Sequence, residues 1–261
     1  MIRNTFSILN GIGEKLERKL WSQGILTWDG FLGAPDITCI SARKKTFFDE
    51  SLSSALDALS HADAAYFART IKRREHWRLY DIFKEESACL DIETNGFMPG
   101  SGGVVTVVGI YDGFDYKCFI RDENLTAEGI MAEISRYKYL ITFYGSGFDI
   151  PYLMRVMPEL QLDIPHFDIC LGTRRLGFRG GLKKLESAMG IVRDESVKEM
   201  DGYDAVKLWE HARRGSAEAL EVLKLYNRED TVNLSALAGI VYQQLREQTG
   251  IEHYLKHSYI S

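Results

Sequence analysis

The sequence predicts an α/β protein in which helices flank a mixed sheet, preceded by a small helical N-terminal region. Three apolar, β-branched runs are separated only by short turns containing Gly, Pro or Asp, a pattern typical of antiparallel strands. A helical pattern over 126–136 then precedes a fourth apolar run, as expected when a crossover joins two strands. The four predicted strands are 87–97, 104–111, 115–120 and 139–143. Together these patterns favour a mixed sheet with helices packed against it.

Composition narrows the class of protein. The 261 residues are 45% hydrophobic and 26% charged, which is typical of a globular protein with one good core and a smaller appended unit. The net charge of −5 argues against a protein that holds nucleic acid by overall charge, although a local basic patch is compatible with it. Four scattered cysteines without a C-x-x-C pair indicate neither a zinc site nor a disulfide framework. No signal-peptide pattern and no apolar run near ~18 residues is present, so we expect a cytoplasmic protein without a membrane partner.

Four regions are predicted along the chain: a hairpin element at 1–34, a helical linker at 35–84, the main domain at 85–245 and a C-terminal tail at 246–261. The turn Gly11-Ile12-Gly13 opens a helix and resembles the second half of a helix-hairpin-helix element, whose backbone N–H groups bind phosphate. Lys15 would add charge near that phosphate. The alternative is a small packing hairpin, with a mini-core of Trp21, Trp28 and Phe31.

The linker region contains two predicted helices, one over 47–59 and a longer one that starts at Asp63. The longer helix ends in the most basic stretch of the chain, residues 72–78. A solvated helix face is the expected environment of this stretch, and binding to a nucleic-acid backbone is the alternative.

The strand at 87–97 carries two acids, Asp91 and Glu93, that lie on one face because side chains alternate along a strand. Leu90 and Ile92 point to the opposite face. Two neighbouring carboxylates repel each other and lose hydration when the strand is packed. The pair therefore predicts a bound cation, for which the rest of the chain has to supply further ligands.

Two later segments offer those ligands. Asp149 follows a glycine-containing loop at the start of a predicted helix, where an acid is favoured by the helix dipole. Tyr226 and Asp230 are four residues apart on a predicted helix and so share one face. Taken singly, these residues have ordinary explanations as a helix cap, a core aromatic and a solvated acid. As a set, they indicate a bound cation more specifically than any of them does alone.

The set resembles the three motifs of the DnaQ-like 3′–5′ exonucleases in their tyrosine subtype, and most closely the branch with a YprB-type ribonuclease H-like domain. The motifs in this chain are Asp91-Ile92-Glu93, Phe148-Asp149 and Tyr226-x-x-x-Asp230. The resemblance covers about residues 86–242 and implies a ribonuclease H-like fold. It also implies that Asp91, Glu93, Asp149 and Asp230 hold two Mg²⁺ or Mn²⁺ ions, and that Tyr226 orients the attacking water.

The implied substrate is the single-stranded 3′ end of DNA or RNA, contacted by residues beside the acids. We expect these contacts from Gly145, Ser146, Phe148 and Lys183, in addition to Gly11, Gly13 and Lys15 of the hairpin. The chain departs from the resembling family at Gly145, where an Asn is common, and this puts substrate positioning in question. Asp168, on a predicted fifth strand, matches an acid that supports the site without binding metal. Two alternatives are a binding module with little turnover and a ribonuclease H-like endonuclease.

Overall fold

The computed structural model describes residues 1–258, and a five-stranded mixed sheet lies at its centre. The order across the sheet is β3-β2-β1-β4-β5. Neighbours among β1, β2 and β3 are antiparallel, whereas β4 runs parallel to both β1 and β5. The strands are β1 Ser87–Thr94, β2 Val105–Tyr111, β3 Tyr116–Ile120, β4 Tyr139–Thr142 and β5 His166–Asp168. The predicted mixed sheet with flanking helices is confirmed.

Helices cover both faces of the sheet and form the N-terminal region. The N-terminal helices are α1 Glu14–Ser22, α2 Trp28–Gly33, α3 Ala42–Ser60, α4 Ala64–Thr70 and α5 Tyr80–Phe83, with 3₁₀ segments at Ile2–Asn4, Arg73–Leu79 and Lys84–Glu86. The helices that follow are α6 Ala127–Ile134, α7 Asp149–Val156, α8 Ile169–Arg175, α9 Leu182–Met189, α10 Gly202–Arg213, α11 Ala217–Thr249 and α12 Ile251–Ser258. Among residues 1–258, no helix combines the length and the apolar character that a membrane span requires.

Strand β1 divides its side chains between two cores, as its alternation predicts. Leu90 and Ile92 pack with residues of α6 and α7 on one face. Cys89 packs on the other face, beneath the long helix α11. Asp91 and Glu93 share the α11 face with Cys89 because they follow it at two-residue steps. The sheet therefore has an apolar core on each face, and along β1 the core on the α11 face gives way to acids.

A glycine in β2 allows α11 to approach the sheet closely. Gly109 pairs with Asp91 across the β1–β2 ladder. A Cβ atom at Gly109 would lie 2.2 Å from Oδ1 of Asn227 and 2.5 Å from Oγ1 of Thr231, both fully buried residues of α11. Since only a residue without a Cβ fits this space, Gly109 sets how near α11 lies to the acids of β1.

The basic stretch at 72–78 is solvated only in part, because residues 72–74 are exposed whereas residues 75–78 are buried. The long helix predicted from Asp63 ends at Thr70, although Asp63 does cap it by accepting from the backbone N–H of Tyr66. A 3₁₀ segment follows, and Arg78 within it is fully buried. Its Nη2 donates to Glu17 at 3.0 Å and its Nε to Glu75 at 2.8 Å. Two buried carboxylates thus draw this arginine into the interior, where an unpaired charge would be costly.

The N-terminal region and the C-terminal helices belong to one continuous core. Trp21, Trp28 and Phe31 are buried as predicted, but they join a cluster that extends to α11 instead of forming a separate mini-core. The tail predicted over 246–261 is helical through residue 258, and its last three residues lie outside the described part. Ile251 is fully buried, and the ring of Tyr254 lies 5.9 Å from that of Trp21.

Candidate metal centre

Five predicted residues from three elements line one pocket. Asp91 and Glu93 come from β1, Asp149 is the first residue of α7, and Tyr226 and Asp230 lie one turn apart on α11. The pocket has a volume of about 340 Å³. Its remaining lining is Ile92, Thr94, Phe143, Tyr144, Phe148 and Gly202.

The acids are close enough to share a cation. One carboxylate oxygen each from Asp91, Glu93 and Asp230 lies within 4.8 Å of the others. Asp149 joins them from the other side of β1, where its Oδ1 accepts from the backbone N–H of Ile92 at 3.2 Å. Glu93, Asp149 and Asp230 are buried, and Asp91 is half-buried. The strand, the helix start and the late helix therefore converge as the sequence predicts.

Burial and mutual repulsion raise the pKa values of these carboxyls. For Asp91, burial is the largest cause, followed by the negative charges of Asp230 and Glu93, and its pKa lies well above the ordinary value. Burial and Asp230 likewise raise the pKa of Glu93 well above its ordinary value. Burial raises the pKa of Asp149 to about 7. Since ionised carboxylates are disfavoured here, the cluster takes up either protons or a cation.

Asn227 is a site residue that the sequence reasoning missed. Its Nδ2 donates to Asp91 at 2.8 Å and more weakly to Glu93 at 3.5 Å. Its Oδ1 accepts from the Tyr116 hydroxyl at 2.8 Å, which fixes the amide orientation. One signal was available, because Asn227 lies three residues before Asp230 and so shares a helix face with it.

Arg193 is a second missed residue, and it brings a positive charge to the acids. It lies in the irregular segment between α9 and α10 and is 6% exposed. Its Nη2 donates to Oδ1 of Asp230, and its Nε donates to the buried Glu186 at 2.5 Å. No periodic pattern marks a residue in irregular backbone, so the sequence offers no comparable signal for it.

Tyr226 combines a packed ring with a place in the pocket. The ring belongs to a buried cluster with Trp209 and Leu223, and only 6% of the residue is exposed. Burial, followed by the charges of Asp230 and Glu93, raises the pKa of the Tyr226 phenol well above its ordinary value. The phenol is therefore protonated at neutral pH and can act as a hydrogen-bond donor beside the acids.

The loop before Asp149 is organised by Asp168. This carboxylate accepts from the backbone N–H of Tyr144 at 2.9 Å and from that of Ser146 at 3.1 Å, and the Ser146 hydroxyl also donates to it. Gly145 donates to the hydroxyl of Thr142 at 3.0 Å. Gly145 and Ser146, predicted to contact nucleic acid, thus have their backbone N–H groups bound by side chains at the ends of β4 and β5. Asp168 supports the loop and lies outside the group of acids that line the pocket.

Two further predicted contact residues lie close to the acids. Phe148 is 38% exposed at the pocket, and its ring lies 5.5 Å from that of Tyr152. The Nζ of Lys183 lies 5.6 Å from the ring centre of Tyr226 and donates to the carbonyl of Lys198 at 2.8 Å. Phe148 presents an aromatic surface at the pocket, whereas Lys183 is tied to the segment between α9 and α10.

The hairpin residues lie far from the acids. Gly11, Gly13 and Lys15 are exposed at the start of α1. This helix contacts α11 through Arg18, which donates to the carbonyl of Gln248 at 3.4 Å. Gln248 lies eighteen positions after Asp230 on α11, a distance of about 27 Å along the axis. The structure therefore does not bring the hairpin into the carboxylate pocket.

The residues of the pocket fit a hard divalent cation. The cluster of Asp91, Glu93 and Asp230 offers carboxylate oxygens and contains neither His nor Cys. Oxygen donors of this kind suit Mg²⁺ and Mn²⁺, whereas zinc sites favour nitrogen and sulfur. The positive charge that reaches these acids from Arg193 is shared with Glu186, so it does not balance the cluster.

A family model described as RNase_H superfamily matches residues 88–242. The chain belongs to the ribonuclease H superfamily. The matched range begins in β1 and ends in α11, so it contains all five strands and all five predicted catalytic residues. A search of curated proteins finds no match to the chain. The ribonuclease H-like domain is compatible with nuclease activity, and nucleases of this superfamily usually use divalent metals.

Proposed function

We propose that this protein is a divalent-metal-dependent 3′–5′ exonuclease of the DnaQ-like tyrosine type, acting on DNA or RNA. One observation carries the proposal: Tyr226 and Asp230 occupy successive turns of α11 and line the same pocket as Asp91, Glu93 and Asp149. A ribonuclease H-like endonuclease would share the acids but would not need the tyrosine. The tyrosine beside the fourth acid therefore favours the exonuclease.

In this proposal, the four acids Asp91, Glu93, Asp149 and Asp230 hold two Mg²⁺ or Mn²⁺ ions. When bound, such ions polarise a phosphodiester and offset the charge that develops on its oxygens. The protein contributes a pocket in which the carboxylates are already gathered, so that ion binding relieves their repulsion.

Tyr226 orients the attacking water in this scheme. Its phenol keeps its proton at neutral pH because burial and the neighbouring acids raise its pKa. A protonated phenol donates a hydrogen bond, so it positions a water oxygen and does not act as a general base. Phe148, partly exposed at the pocket, offers a face on which the terminal base can stack.

The test is a cleavage assay on single-stranded DNA and RNA labelled at the 5′ end, with Mg²⁺, Mn²⁺ or EDTA. In the presence of metal, we expect the linear strand to give a ladder of products that shorten from the 3′ end. A circular single strand of the same sequence should stay intact. Internal cuts, or cleavage of the circle, would instead identify an endonuclease. A retained but uncut complex would identify a binding module.

Two variants test whether cleavage depends on the residues of the pocket. Asp91→Asn removes a proposed ligand and should abolish cleavage while the metal-free fold is kept, because it relieves a buried repulsion. Asp57→Asn is the matched control, since it makes the same substitution on an exposed side chain of α3. An active Asp91→Asn protein would contradict the assignment of this ligand.

A further inference from the structure

A buried ion pair stands directly behind one of the proposed metal ligands. The guanidinium of Arg193 makes two hydrogen bonds to Glu186, from Nε at 2.5 Å and from Nη2 at 2.8 Å. The same Nη2 also donates to Oδ1 of Asp230. Arg193 and Glu186 are 6% and 2% exposed. Arg193 therefore bridges an acid that has no place in the pocket and an acid that lines it.

The pair is anchored to the scaffold on the side away from the pocket. Glu186 belongs to α9, and its Oε1 also accepts from Nδ2 of Asn233 on α11 at 3.0 Å. The segment that carries Arg193 is fixed to α9, because the backbone N–H of Ile191 donates to the carbonyl of Glu186 at 2.9 Å. The guanidinium consequently has little freedom to leave Asp230.

Within the described residues, the side-chain hydrogen bonds of Arg193 go to Glu186 and Asp230 alone. Its remaining nitrogen, Nη1, is buried and has no hydrogen-bond partner there. Arg78 is buried as well, but it joins Glu17 and Glu75, and neither of these acids lines the pocket. One nitrogen of Arg193 is thus an unsatisfied buried donor, which costs free energy. The other nitrogens donate to Glu186 and Asp230.

Stability alone is a weak explanation for such a pair. Removing two charges from water costs several kcal/mol per ion, and an apolar pair of similar volume is often as stable or more stable. An arginine fork, however, fixes the direction of a carboxylate more tightly than a lysine does. Groups that hydrogen-bond a metal ligand orient it and commonly change metal affinity by 10–100-fold.

We propose that Glu186 and Arg193 form a positioning pair for the metal centre. The pair holds Asp230 by Oδ1 and leaves the other carboxylate oxygen to a divalent ion. Because Glu186 balances the charge of Arg193, Asp230 is oriented without losing its negative charge for the ion. This inference rests on the proposed function in one respect, namely that Asp230 is a metal ligand.

Calorimetric titration of Mn²⁺ into the full chain tests the pair without using cleavage. Glu186→Gln/Arg193→Gln removes both charges of the pair together, so neither member is left beside an unpaired partner and the net charge is unchanged. We expect this double variant to bind Mn²⁺ at least about tenfold more weakly than the wild type. Lys117→Gln/Glu133→Gln removes a partly buried ion pair on α6 and β3 and should bind Mn²⁺ like the wild type.

The conservative variant Arg193→Lys separates the effect of orientation from that of charge. Thermal melting in EDTA shows whether each variant is folded, and Arg193→Lys replaces the double variant if that variant does not fold. It keeps the positive charge beside Glu186 but cannot form the fork, so we expect weaker Mn²⁺ binding from it as well. Wild-type or tighter Mn²⁺ affinity in the folded variants would overturn the proposal. Tighter binding would identify Arg193 as a competitor of the ion.

The two proposals fail in different ways. A wild type that binds Mn²⁺ but cuts no nucleic acid would refute the exonuclease, while the variants would still decide whether the pair positions Asp230. A wild type that cuts, with variants of unchanged Mn²⁺ affinity, would refute the positioning pair alone. A wild type that binds no Mn²⁺ would refute both.

Discussion

Gly109→Ala tests whether the distance between α11 and the sheet controls the metal centre. The added Cβ would lie 2.2 Å from Oδ1 of Asn227 and 2.5 Å from Oγ1 of Thr231, at least 0.9 Å inside the ordinary contact range that begins at 3.4 Å. Neither side chain has free space, since both residues are fully buried. Either α11 moves away from β2 or Asn227 rotates out of its present contacts.

Both responses cost stability. Overpacking a core typically costs about 1–3 kcal/mol. Rotation of Asn227 would break its hydrogen bonds with Asp91 and Tyr116, and a buried donor or acceptor left unsatisfied costs about 1–3 kcal/mol. We expect the free energy of unfolding to fall by about 2–4 kcal/mol, which corresponds to a decrease in melting temperature of about 5–15 °C.

The assay is thermal melting in EDTA together with Mn²⁺ titration of the folded variant. Gly239→Ala, in the middle of α11, is the matched control, because its Cβ would meet the Tyr80 hydroxyl at an ordinary 3.5 Å. This control should gain about 0.5–1 kcal/mol from the better helix propensity of alanine. In a double-mutant cycle, Asn227→Ala should cost less in the Gly109→Ala protein than in the wild type. Wild-type melting and Mn²⁺ affinity for Gly109→Ala would refute the reasoning.

Three other predictions concern the proposed chemistry and the pH dependence. Tyr226→Phe should slow cleavage and leave Mn²⁺ affinity nearly unchanged in a titration, and a large loss of affinity would contradict its proposed role in orienting water. Mn²⁺ binding should release protons and weaken as pH falls below about 7, because Asp149 and its neighbouring acids, whose pKa values are raised, are partly protonated there. Calorimetry in two buffers of different ionisation enthalpy measures the released protons. Burial lowers the pKa of His76 and of His166 to about 4, so in the range from about 6.5 to 4 the unfolded chain binds more protons than the folded one. Their contribution to stability is therefore lost as pH falls through this range, by about 3 kcal/mol for each. Urea unfolding at pH 7 and pH 4.5 should show a smaller difference for His76→Gln than for the wild type.

Local sequence patterns predicted the sheet because strand and turn signals act over a few residues. The turn at Asp112-Gly113 joins β2 to β3 as expected, and its carboxylate accepts from the backbone N–H groups of Phe114 and Asp115. The alternation along β1 correctly separated Asp91 and Glu93 from Leu90. These features depend on the alternation of side chains along a strand and on the residues that favour turns, and both can be recognised in a short stretch of sequence.

The burial of residues 75–78, in the second half of the basic stretch, was not predicted because it depends on distant residues. Arg78 is buried by its bond to Glu17, which lies 61 positions earlier in the chain. Arg175, a hundred positions after Glu75, completes the same network by donating to it at 3.0 Å. A window of sequence around Arg78 shows only a run of positive charges, and such a run ordinarily faces solvent.

The residues of the candidate site also fall into two groups, those that local patterns predict and those that only tertiary packing brings together. The acids and Tyr226 occur at spacings that a strand or helix turns into a shared face, so the sequence predicted them. Asn227 shares the face of Asp230 but is uncharged, and a charge-based search passes over it. Arg193 lies in irregular backbone between two helices, and its place beside Asp230 depends on how α9 packs on α11. Residues of this kind become visible only when the tertiary packing is known.

The hydrogen bonds of the pocket lead us to expect that protons and metal ions compete for it. Asp91 accepts from a neutral amide and Asp149 from a backbone N–H, so neither donor brings a full positive charge. The guanidinium of Arg193, which contacts Asp230, is balanced by Glu186. The negative charge of the cluster is therefore offset by protons when no cation is bound. In the proposed metal centre, each bound divalent ion would displace some of those protons, so we expect metal affinity and the protonation of these acids to form one linked equilibrium.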